Sequence, residues 1–113
     1  MEKLFDKLRE YLHMDTEIPF EEFSEYYHNL IAELNRTFSD LDRDARLQDL
    51  YICSIVQSNA EVRAKQSKAN TKTYKKISTK CAFWTDAIKF NLTKDGMTAE
   101  EIDEATEKIN DSI

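Results

Sequence analysis

The chain has 113 residues and a formal net charge of -6 at pH 7, with 34% charged and 41% hydrophobic residues but only one Gly and one Pro. That length suits one domain around a single core, and so few turn-forming residues argue against a strand-rich fold and for long helices joined by few turns. No run nears the roughly 18 consecutive apolar residues of a membrane span, and Glu2, Lys3 and Asp6 stand where an export signal needs an apolar core, so a soluble, cytoplasmic setting without membrane contact is expected.

The first helix is expected over about 2–14, with Leu4, Phe5, Leu8, Tyr11 and Leu12 forming one amphipathic stripe. Asp15 to Ile18 breaks this pattern, and Pro19 fits the first position of a second helix over 19–38. Phe20, Phe23, Tyr27, Leu30, Leu34 and Phe38 mark its buried face, and Ile31 widens it.

The break Ser39-Asp40-Leu41-Asp42 is rich in N-cap residue types and short enough to turn the chain back on itself. A third helix follows over 42–67. From Leu50 to Val56 it is apolar on nearly every side, which is the pattern of a central, buried helix.

No Gly or Pro interrupts Asp42 to Leu92, yet one straight helix of that length has no sustained heptad seam to support it. A bend near Ala69-Asn70-Thr71 resolves the difficulty, because it sets Val56 opposite Ala82 or Phe83 and brings the two apolar segments together. The fourth helix then spans 71–92 and buries Tyr74, Ile77, Cys81, Trp84 and Ile88. Cys53 and Cys81 both fall in apolar helical runs and read as reduced, buried thiols.

Asp95-Gly96 is a helix stop, and Thr98 with Glu101 matches a capping box for a fifth helix over 99–110. The expected architecture over residues 1–113 is therefore all-α. It is an antiparallel bundle of four to five helices with a long, protruding hairpin of the third and fourth.

Charge is distributed very unevenly. Residues 1–62 carry 6 basic and 14 acidic side chains, 63–80 carry 7 and none, and 81–113 carry 3 and 8. The basic segment consists of Arg63, Lys65, Lys68, Lys72, Lys75, Lys76 and Lys80, and on the fourth helix its side of the surface continues into Phe83 and Phe90. An apolar patch bordered by charge is what a protein-binding surface looks like.

The function these features favour is a small, non-enzymatic interaction module. It would bind a protein partner, or a second copy of itself, through the basic hairpin and the adjoining aromatic face; the size and composition suit an adaptor, immunity or regulatory protein of a bacterium or phage. One alternative is a nucleic-acid-binding accessory protein that uses the lysines between 65 and 80 against phosphates, although the chain's net negative charge opposes this at long range.

A further alternative is a metal-binding bundle using two Glu-x-x-His pairs, Glu10 with His13 and Glu25 with His28. A turn near Thr16 or Glu17 leaves the two histidines roughly 12 Å apart along the helices, which opposes a shared site. Catalysis is not expected: no phosphate-cradling glycine loop, nucleophile elbow or paired-cysteine motif is present, and the carboxylates are expected on outward helix faces. No cofactor follows from the sequence.

Overall fold

The computed structural model describes residues 2–113. Among them the chain is all-helical, with α1 at Glu2–Leu12, α2 at Phe20–Thr37, α3 at Arg43–Gln66, α4 at Thr71–Lys94 and α5 at Ala99–Asp111, plus a single 3₁₀ turn at Phe38–Asp40. Several boundaries have a local chemical cause. Asp42 caps α3 by accepting the Ala45 amide at 2.8 Å. Thr98 and Glu101 exchange side-chain bonds with each other's backbone N–H, at 3.1 and 2.9 Å, to start α5.

Gly96, at φ +102, provides the left-handed residue that ends α4. Its amide donates to the Thr93 carbonyl and that of Met97 to the Leu92 carbonyl, both at 3.0 Å, and the buried side chains of Leu92 and Met97 complete a Schellman cap. Pro19 differs by one place from expectation. It is the residue before α2, where its carbonyl accepts the Phe23 amide.

The α3–α4 link is four residues long. Ser67 organises it, its hydroxyl accepting the Asn70 amide at 3.0 Å and its carbonyl accepting the Thr71 hydroxyl. Beyond it the two helices pack closely, through Arg63 to Tyr74, Ser78 to Glu61 and Thr85 to Gln57. At about 1.5 Å per residue a 24-residue helix is about 36 Å long, so these two run through most of the molecule's 43 Å long dimension.

The remaining helices cover α3. Phe5 of α1 meets Tyr51 edge-on, and the Tyr51 hydroxyl donates to Asn110 of α5 at 2.8 Å. Arg43 and Arg46 clasp the α4–α5 turn through the carbonyl and carboxylate of Asp95, each at 2.8 Å. In α2 the deeply buried tyrosine is Tyr26 rather than Tyr27: its hydroxyl donates to the Leu4 carbonyl at 2.7 Å and its ring packs on Tyr11.

One carboxylate departs from the outward pattern. Asp49 is 0% exposed, and neither of its oxygens has a hydrogen-bond partner among the described residues. Burial raises its carboxyl from 3.8 to about 7, and the negative charge of Glu33 adds to the shift. Below the unfolded value of 3.8 both states hold the proton, and between there and about 7 only the folded state does.

Stability should therefore fall as pH rises through that window and level off above it, by roughly 4 kcal/mol at most. Urea unfolding of wild type and Asp49→Asn from pH 4 to pH 8 tests this. The wild type should lose stability relative to the variant as pH rises, whereas parallel curves would show that Asp49 is not a buried acid.

Candidate functional site

α4 has two unlike faces because its apolar residues recur at helical spacing. Tyr74, Ile77, Cys81, Trp84, Ile88 and Leu92 are buried against the rest of the protein. The other side presents Lys72, Lys75, Lys76 and Lys80, then Phe83 and Phe90, and all of them are exposed. Lys65 at the end of α3 and Lys68 in the link are exposed beside them.

None of these six lysines forms an ion pair among the described residues, where the salt bridges join Lys7 to Glu10, Arg36 to Glu33 and Arg46 to Asp95. Lys75, Lys76, Thr79, Lys80 and Phe83 together line a shallow depression. The lysine charges are thus not paired among the described residues.

Phe83 and Phe90 are 58% and 68% exposed, more than any other large apolar residue described. Residues 83, 87 and 90 follow i, i+4, i+7 on one helix face, and the half-buried Ala87 between the rings keeps the face open. Phe83 is held from both sides. Its ring meets Trp84 edge-on at 5.6 Å, and the Lys80 ammonium lies 5.1 Å from its centroid.

Arg63 does not belong to this surface. Only 9% exposed, it lies inside the protein with its guanidinium 4.4 Å from the Phe23 ring and 5.8 Å from that of Tyr74. Phe20 and Phe23 of α2 both reach Tyr74, so α2 covers this end of the helix pair up to that residue. The exposed basic surface begins beyond it, at Lys65.

Asp49, Cys53, Val56, Ala60 and Arg63 follow i, i+4, i+7, i+11, i+14 along the buried stripe of α3, so both buried charges lie in register with its core face.

Comparison with protein-family models, curated proteins and solved structures returns no match to this chain.

Other candidate chemistry can be located as well. His13 and His28 are both exposed, and Nδ1 of His28 is 2.7 Å from the Ser24 carbonyl one turn earlier. No group of three or more His, Cys, Asp or Glu side chains among the described residues is arranged to hold a metal ion. No helix is long and apolar enough to cross a membrane.

Cys53 and Cys81 are free and fully buried. Burial pushes the Cys81 thiol up to about 12, and that of Cys53, which also faces the charges of Cys81 and Asp49, well above its ordinary value. A thiol so held is not a nucleophile. Ellman's reagent should label neither cysteine in the native protein within minutes and both at once in 6 M guanidinium; rapid native labelling of either would contradict the packing around α3.

Proposed function

We propose that the protein is a non-enzymatic, all-helical interaction module. Its docking surface is the outer face of α4, with Phe83 and Phe90 as apolar anchors and Lys72, Lys75, Lys76 and Lys80 as the charged border, extended by Lys65 and Lys68 at the link. In this reading the helices form an antiparallel bundle, and the end of the α3–α4 pair projects beyond α2 by the few residues between Lys65 and Thr73.

The observation that carries the reading is the pair of exposed phenylalanines, 58% and 68% accessible, beside lysines that have no acidic partner among the described residues. Aromatic anchors bury large area at small conformational cost, while unpaired border charges raise the rate of encounter with an acidic partner. The partner is therefore a protein with an apolar groove edged by Asp and Glu. Self-association is the second reading, because the chain itself carries such carboxylates on the exposed face of α5, at Glu100, Asp103, Glu104 and Glu107.

Nucleic acid fits less well. It would engage the lysines but leave two large rings on the same face without a role, unless the strand were unpaired and stacked on them.

Two variants test the proposal by co-purification from the native cell and by sedimentation of the purified chain. Phe83→Asp with Phe90→Asp should leave helicity and unfolding midpoint close to wild type, since both positions are exposed, and should lower capture of the partner, or self-association, at least tenfold. Lys75→Glu, Lys76→Glu and Lys80→Glu together should slow association and remove its salt dependence. A partner retained equally by the double Asp variant, or one released by nuclease alone, would refute a protein-docking face built on these rings.

A further inference from the structure

A second site shares no residue with the α4 surface described above and does not depend on that reading. α1, the loop 13–19, α2 and α3 enclose a cavity of about 240 Å³. Its walls include Leu8, Ile18, Phe23 and Val56, all of them buried. Asp15 and Glu17, both exposed, stand at its mouth. Arg63 lines it from α3.

The guanidinium is what makes this more than a packing void. It carries five N–H donors and keeps its charge inside proteins, yet among the described residues its one hydrogen bond is from Nη1 to the Tyr74 hydroxyl at 3.3 Å. Nε is buried without a partner, and no carboxylate pairs with Arg63 among the described residues.

The rings of Phe23 and Tyr74 attract the charge and hold the group in place, but a ring face supplies no carboxylate lone pairs to in-plane donors. Two other polar wall groups are committed elsewhere, the Tyr26 hydroxyl to the Leu4 carbonyl at 2.7 Å and the Asn59 amide nitrogen to the Ile55 carbonyl at 3.0 Å. Arg63 is the buried wall residue with donors to spare.

We propose that this cavity binds a small amphipathic monocarboxylate, its carboxylate on Arg63 and its apolar body against Leu8, Ile18, Phe23 and Val56. A guanidinium matches a carboxylate with two parallel bonds, which supplies the charge partner that Arg63 lacks among the described residues. Size follows from volume. An apolar cavity of about 150 Å³ takes a benzene ring, so one of 240 Å³ suits a ligand of about ten non-hydrogen atoms, such as octanoate. Asp15 and Glu17 at the mouth repel a second negative charge, which selects against phosphate and dicarboxylates.

The test uses the full chain and follows its ¹H–¹⁵N spectrum, including the Arg63 Nε–H signal, during titration with octanoate, octanol and inorganic phosphate. Octanoate should saturate, moving the Arg63 Nε–H signal together with amides of Leu8, Ile18 and Val56, and should bind at least tenfold tighter than octanol. Arg63→Met should weaken octanoate at least tenfold and leave octanol unchanged, whereas Lys75→Glu should alter neither.

Equal affinity of octanoate and octanol for the wild type, absence of saturation, or phosphate moving the Arg63 signal as far as octanoate does would overturn the proposal. Should Arg63→Met fail to fold, the wild-type comparison of octanoate with octanol and phosphate decides alone.

Discussion

The belt of α3 from Leu50 to Val56 has to be covered on every side, and the rest of the molecule is arranged by that need. Leu50, Ile52 and Cys53 are at most 1% exposed, and within this segment only Ser54 and Ile55 keep a partly exposed edge. A helix apolar all round cannot be satisfied by one neighbour. α4 covers one side through Tyr74, Ile77, Cys81 and Ile88, while α1 and α5 converge on Tyr51 from others.

The covering residues are drawn from one face of each outer helix. What remains available for function is therefore the set of opposite faces, and on α4 that face happens to hold every lysine of the basic segment that lies in the helix, together with two phenylalanines. The contrast between the two faces of α4 is a consequence of packing, whereas the choice of Phe at 83 and 90 is not. Packing would accept a polar residue at either position, and leaving such rings in water forgoes the free energy of burying them, on the order of 2 kcal/mol each.

Much of this was legible in the sequence because the signals are local. Asp42, the Thr98/Glu101 pair and Gly96 fix the helix ends through bonds spanning three to five residues, and such bonds need no knowledge of the fold. The exposed positions of Phe83 and Phe90 follow from the same periodicity that buries Cys81 and Trp84.

Decisions made by tertiary contact were not legible. Tyr26 and Tyr27 fit the α2 stripe equally well, at i+3 and i+4 from Phe23, and Tyr26 is taken inside because α1 brings the Leu4 carbonyl and the Tyr11 ring to it. Arg63 was read with its lysine neighbours because its formal charge is the same as theirs. Its burial depends on Phe23, forty residues earlier in the chain, and on Tyr74 across the link. A delocalised guanidinium tolerates aromatic surroundings that a strongly hydrated ammonium does not, which is why the one arginine of the segment is inside while its lysines stay outside.

The two buried charges of α3 oppose each other in sign but cannot cancel. Asp49 and Arg63 are fourteen residues apart on one helix, about 21 Å, far beyond ion-pair distance, so each must be accommodated where it stands. A carboxylic acid has a remedy in taking up a proton, and Asp49, with its carboxyl raised to about 7, is placed to use it. A guanidinium has no such remedy, because neutralising it is not an option at physiological pH.

Its burial is tolerable only with aromatic faces, solvent or an anion against it. The protein supplies the faces, through Phe23 and Tyr74, and beside them an apolar cavity with room for the anion. The buried acid toward one end of α3 is thus relieved of its charge once protonated. The buried base at the other end keeps its charge, with an Nε unpartnered among the described residues and a cavity with room for an anion beside it, and this asymmetry distinguishes the Arg63 cavity from a simple defect in packing.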